Sequence, residues 1–271
     1  MKPPPRIYKY EPFNAQSLQS LKSQIIYFGS PRGFNDPYDC SLFPSIEPLS
    51  DEETEQLRIH FLNRPALQPQ QALGFRTLPT NELREVLIKA AQSVLQEFAQ
   101  KFLEEKGVTC FSERPDHLLM WSHYAGRAQG FCLEFDTAHE PFNQRLHKVS
   151  YPETIPSIKA TSDLYRLGNE SSLIEKLFCT KSRDWAYEQE WRAIHHNKNT
   201  SYGYPAQSLT GVYFGTESTR ASREIICLII QGQNKNVRFY QGVRSTTEFK
   251  VEFSEIHYTS HREAKEKGLI P

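Results

Sequence analysis

Between Glu82 and Gly107 the sequence ELREVLIKAAQSVLQEFAQKFLEEKG sets Leu83, Leu87, Ala90, Val94, Phe98 and Phe102 at three- and four-residue steps. That period lays an apolar stripe along one helix, and Gly107 is a natural stop. Upstream, Ser50 with Glu53 forms a capping box that opens a more polar helix. NAQSLQSLKSQ predicts another helix, with Asn14 as N-cap and Leu18 and Leu21 turned inward. Beyond Gly107 the period drops to two. In GFCLEFD, Phe131, Leu133 and Phe135 alternate with Cys132, Glu134 and Asp136, as on a strand. RIYKY, IIYFGS, VTCFS, HKVSY, EWRAIHH, TGVYFG, EIICLII, NVRFYQ and FKVEFSEI are the remaining strand candidates. HLLMWSHYAG, closed by Gly126, and ESSLIEKLFC, with Leu173, Ile174, Leu177 and Phe178 inward, are short helices.

Strands and helices do not alternate regularly enough for βαβ winding. The pattern predicts an α+β fold with a mixed, mainly antiparallel β core. No flexible linker brackets residues 50–107, so they are expected as a helical insertion within one domain spanning 1–271.

Composition narrows the functions. Lys plus Arg and Asp plus Glu each number 32, so the formal charge is zero, which disfavours a purely electrostatic nucleic-acid binder. No apolar run is long enough for a signal peptide or a membrane span. The five cysteines are scattered and never form C-x-x-C, the usage of a reducing compartment. A folded cytoplasmic protein, without a membrane partner, is expected.

Three stretches could carry chemistry. In DWAYEQEWRAI, strand alternation from about Glu190 would put Glu188, Glu190 and Arg192 on one face and Trp191 and Ala193 on the other. They form either an exposed ionic stripe or a carboxylate pair lining a cleft, with Arg192 keeping one member ionised. SPRGFNDPYDC offers Arg32, Asn35, Asp36 and Asp39 on a loop after a strand, though an Asx-turn alone would explain the Asn-Asp-Pro. CFSERPDHLLMWSHYAG concentrates Ser112, Trp121, His123 and Tyr124 beside a helix end, where a hydrogen-bonded core histidine is the plainer reading. Cys110 with His123 lacks a third orienting group, and His195 and His196 lack ligands at metal spacing. No Gly-rich phosphate loop or G-x-S-x-G elbow is present.

Taken in order, IYKYEPFN, IYFGSPRGFNDPYDC, TCFSERPDHLLMWSHYA, VSYPE, KSRDWAYEQEWRAI and GVYFG resemble a widespread bacterial family of unknown function. The layout is also similar, more loosely, to the ADP-ribosyltransferase superfamily. Both have a split β core, an anchoring polar residue on an early strand, a hydroxyl ending a middle strand, and a late E-x-E at a strand entrance. That resemblance implies NAD as substrate, no metal, Glu190 as the catalytic carboxylate and Glu188 as the group preparing the acceptor. Ser112 takes the middle-strand position, and Tyr8, Lys9 or Tyr10 the first-strand anchor. The best-known E-x-E members carry arginine at that anchor; here Arg6 or Arg32 would have to substitute. Tyr124 or Trp121 would stack on the departing ring, and a protein or nucleic acid would accept the transferred group. Two other readings stay open: a non-catalytic sensor or partner in a bacterial defence or toxin system, and a metal-dependent nuclease built on Asp36, Asp39, Glu188 and Glu190 with Lys181 nearby.

Overall fold

The computed structural model describes residues 2–40, 42–65, 67–165 and 170–269. In chain order the elements begin with β1 (Arg6–Glu11), α1 (Ala15–Lys22), β2 (Ile25–Phe28), α2 (Asp51–Leu62), α3 (Pro69–Thr77) and α4 (Thr80–Glu105). They continue with β3 (Gly107–Ser112), α5 (Leu118–Tyr124), β4 (Phe131–Asp136), β5 (Leu146–Lys148), α6 (Glu170–Phe178) and β6 (Glu190–His195). The last are β7 (Thr200–Gly203), β8 (Leu209–Phe214), α7 (Arg220–Gln231), β9 (Arg238–Arg244), β10 (Val251–Ile256) and α8 (His261–Glu266). The chain divides into two compact units: residues 1–30, 106–149 and 184–271, and residues 31–105 with 150–183.

The first unit holds an eight-stranded sheet in the order β10-β9-β8-β4-β1-β3-β6-β5, plus a β2-β7 ribbon. Within the large sheet β8 and β9 run parallel and the other pairings are antiparallel, so the fold is α+β with a mixed, mostly antiparallel sheet. Alternation sorts the strands into two faces. One face carries Ile7, Phe111, Phe131, Leu133, Phe135, Trp191, Val212, Phe214 and Phe239, packed with Leu21 of α1 and Ile226, Cys227 and Ile230 of α7. The opposite face buries Tyr10, Cys132, Tyr213 and Val251 with Met120, Trp121 and Ala125 around α5.

EIICLII, expected as a strand, is the body of α7. Its β-branched residues favour strands, but the helical period decides here. Ser222, Ile226, Cys227 and Ile230 are buried, whereas Ile225 and Leu228 remain 43% and 50% exposed. Thr219 caps the helix by accepting from Ser222 N at 3.1 Å. Burying one isoleucine of this kind contributes about 1.5–3 kcal/mol, enough to override a propensity difference of a few tenths. HKVSY is strand only through Lys148.

The second unit is mainly helical. The Ser50 and Glu53 capping box forms as expected. In α4 the buried seam runs Leu83, Leu87, Ala91, Leu95 and Phe102, not through Ala90 and Val94, and Val94 is exposed. Two apolar stripes lie side by side on this helix, and the one containing the bulkier Leu95 faces inward. Phe102 stacks on Phe178 at 3.4 Å. Among the described residues no helix is long and apolar enough to cross a membrane.

Candidate functional site

One cross-strand row runs through the middle of the large sheet. Glu134 of β4 pairs with Tyr8 of β1, Tyr8 with Ser112 of β3, and Ser112 with Glu190 of β6. Directly opposed residues share a face, so four side chains from four segments form one polar line. Its two ends differ.

At the β6 end, residues Arg183–Glu188 form a 3-10 turn, so strand alternation does not reach back to Glu188. Gln189 then takes φ +45°, the left-handed region that favours glycine, at a cost of about 1–2 kcal/mol for an L-residue. Its carbonyl accepts from Glu113 N at 3.2 Å, and the chain enters the strand at Glu190. This reversal sends the two carboxylates to different partners. Tyr124 Oη donates to Glu188 Oε1 at 2.5 Å. Arg192 donates to both oxygens of Glu190, Nε to Oε1 at 2.7 Å and Nη2 to Oε2 at 3.1 Å. Glu188, Glu190 and Arg192 are 2%, 3% and 0% exposed, which rules out the exposed ionic stripe. A planar fork against a carboxylate is the strongest neutralising geometry a side chain offers.

Ser112 Oγ donates to the Glu188 carbonyl at 2.7 Å and accepts from Arg114 N at 3.2 Å. Its hydroxyl therefore ties the end of β3 to the turn that carries Glu188. Tyr10 Oη donates to the Arg114 carbonyl at 2.7 Å, and its ring meets Trp121 edge-on. Trp121 is 1% exposed and its Nε1 donates to the Pro115 carbonyl at 2.6 Å. That indole belongs to the packing under α5. The rings beside the carboxylates are instead Trp185, Tyr187 and Tyr124, all half-buried, with the exposed His123. Centroid distances are 6.0 Å for Trp185–Tyr187, 6.3 Å for His123–Trp185 and 6.1 Å for His123–Tyr124. His117 extends the strip by stacking on Tyr187 at 5.0 Å. Burial first, then the Arg114 charge, holds the His117 imidazole below its ordinary range, with Asp116 opposing. On the other sheet face, Glu113 accepts from Lys148 Nζ at 2.5 Å and Trp191 Nε1 at 2.8 Å. Burial pushes its carboxyl upward, but these two hydrogen bonds win and leave it below the ordinary range.

At the β4 end, Glu134 accepts from Tyr8 and Tyr213 at Oε2, at 3.2 and 2.7 Å, and from Thr210 at Oε1, at 2.7 Å. Arg6 reaches Oε1 at 3.6 Å and Asp136 at 2.5 Å, so the first-strand arginine is engaged there. Burial, then Glu134, raises the Tyr8 phenol; burial and the Glu134 hydrogen bond raise that of Tyr213.

The Asn-Asp-Pro loop belongs to the second unit. Arg32 and Asn35 are exposed, and Arg32 lies 3.7 Å from Glu104. Asp36 is buried, and its Oδ1 accepts from Tyr38 N at 2.9 Å in the expected Asx-turn. Its Oδ2 has no hydrogen-bond partner among the described residues. Asp39 and Lys181 face each other at 3.4 Å, both almost fully buried. Among the described residues no group of three or more His, Cys, Asp or Glu is arranged to hold a metal ion.

Sequence reasoning nominated Glu188, Glu190, Arg192, Ser112 and Tyr124, and the structure brings these together. Beside them the structure sets Trp185, Tyr187 and His117, which the sequence reading did not nominate. Their signal was the aromatic density just before the E-x-E, and the histidine at the start of α5.

Residues 120–193 match the model of a family described as a protein of unknown function, DUF2971. The matched stretch opens on the α5 segment bearing Tyr124 and closes just past Arg192, so it holds both halves of the Glu188–Tyr124 contact. No curated protein and no solved structure matches the chain.

Proposed function

We propose that the chain cleaves the nicotinamide–ribose bond of NAD and passes the ADP-ribosyl group to water or to a macromolecular acceptor. The observation that carries this reading is the row Tyr8, Ser112 and Glu190 across three adjacent strands, with Glu188 hydrogen-bonded to Tyr124 at its end. In this reaction the carbon–nitrogen bond breaks, its electron pair leaves with nicotinamide, and the ribose carbon becomes oxocarbenium-like. An ionised carboxylate stabilises that charge. Glu190 has that role, its ionised form favoured by the Arg192 guanidinium. Glu188 accepts the proton of the attacking water or acceptor hydroxyl, and Tyr124 orients it. Trp185 and Tyr187 offer flat, electron-rich faces suited to a positively charged pyridinium ring.

The test is incubation with NAD labelled in the nicotinamide ring, alone and with candidate protein and nucleic-acid acceptors. Nicotinamide release that depends on Glu188 is expected. No release, no transfer and no NAD-induced rise in melting temperature would overturn the reading and leave a non-catalytic binding role.

A further inference from the structure

Away from the carboxylates, the start of α7, the end of β10 and the approach to α8 enclose a groove of about 400 Å³. Its size falls within the range of small-molecule sites, about 300–1,000 Å³. Its rim carries Arg220, Arg223, His257 and His261, with Glu224 as the opposing charge. Arg223 Nη1 donates to the Ser218 carbonyl at 2.9 Å and to its hydroxyl at 3.3 Å, which fixes the guanidinium at the mouth. The side chains of Arg220, His257 and His261 make no hydrogen bond or ion pair among the described residues. The first turn of the twelve-residue α7 adds the positive end of its dipole.

Part of the wall is apolar. Ile256, Ala264 and the Tyr258 ring line it, and the Tyr258 hydroxyl is buried with no hydrogen-bond partner among the described residues. Cys227 also borders the groove, but burial pushes its thiol up to about 12 against the pull of Arg223. A neutral thiol is a poor nucleophile, so the chemistry on offer is binding.

We propose that this groove binds a phosphorylated small molecule of mononucleotide size. Its phosphate is held by Arg220 and Arg223, and its uncharged body lies against Ile256 and Tyr258. Arginine forks match phosphate oxygens, and the apolar wall selects against a bare inorganic anion. The site is independent of the NAD reading.

Calorimetric titration at neutral pH with AMP, inorganic phosphate and adenosine tests it. Saturable AMP binding is expected, with adenosine and phosphate each weaker by roughly ten-fold or more. Arg220→Ala and Arg223→Ala should each weaken AMP by a similar factor. Arg220 is exposed, so its variant is expected to keep the parent melting temperature and reports binding even where Arg223→Ala loosens the fold. No saturable AMP binding up to about 10 mM, or AMP affinity retained in the double variant, would overturn the proposal.

Discussion

Glu134 and Glu190 stand on the same cross-strand row, three strands apart, and both are almost fully buried. Burial therefore cannot be what separates Glu134 from the carboxylate proposed to react. Glu134 lies within β4 and is held by two phenols, a threonine hydroxyl and an arginine, all from the two neighbouring strands. Both of its oxygens are held by the sheet's own donors. Glu190 opens its strand, directly after a residue in the left-handed region, and Glu188 sits on the turn before it with half-buried rings alongside. A carboxylate at a strand entrance can be approached by a ligand through local movement of a turn. A ligand reaching Glu134 from the sheet face would have to displace the hydroxyls of Tyr8, Tyr213 and Thr210 that already hold it.

The contrast can be broken in order of expected effect. Arg192→Leu leaves Glu190 buried without its guanidinium fork and should cost about 3–5 kcal/mol in denaturant unfolding. A loss below about 1 kcal/mol would mean that the pair is solvated. Glu134→Gln keeps shape but turns one acceptor oxygen into a donor facing hydroxyls. Unfolding should show a loss of about 1–3 kcal/mol, with nicotinamide release per folded molecule unchanged. A fall in turnover without a fall in stability would erase the distinction between the two ends. Tyr124→Phe removes one hydrogen bond to Glu188, and kcat should drop by about ten-fold, or about 1.4 kcal/mol in barrier. Equal loss of kcat and stability would recast Tyr124 as packing.

The smallest effect concerns pH. The folded His117 pKa is depressed below the unfolded value of about 6.5, so the unfolded chain binds its proton first as pH falls. Stability linked to this group is complete above about 6.5 and is lost as pH drops through the folded value. His117→Phe, which keeps a ring against Tyr187, should flatten the melting-temperature slope on the acid side of neutrality. A slope unchanged by the substitution would assign it to other groups.

Local signals were legible where they depend on neighbours in sequence. Asn14 and Ser50 cap their helices because a short polar side chain before an apolar period has few other uses. α7 misled because Ile225, Ile226, Ile229 and Ile230 favour strands residue by residue, while the sheet offered a face that only a helical spacing could cover. For the site, residue types were readable and their partners were not. The Glu188–Tyr124 bond spans 64 positions, and the Ser112 bond reaches a backbone carbonyl that no side-chain pattern encodes. The sequence singled out Trp121, and not Trp185, as the indole able to stack on a ligand. Only the packing under α5 shows that one indole is sealed and the other half-buried.

The most direct measurement compares Glu188→Gln with Glu134→Gln for nicotinamide release and unfolding free energy in the same preparations. Glu188→Gln is the probe of choice, because Glu188 carries the contact with Tyr124. Release should fall by at least about 100-fold, near 2.7 kcal/mol, in Glu188→Gln with little loss of stability, while Glu134→Gln shows the reverse. Equal release from both variants, or from neither variant nor parent, would contradict the account.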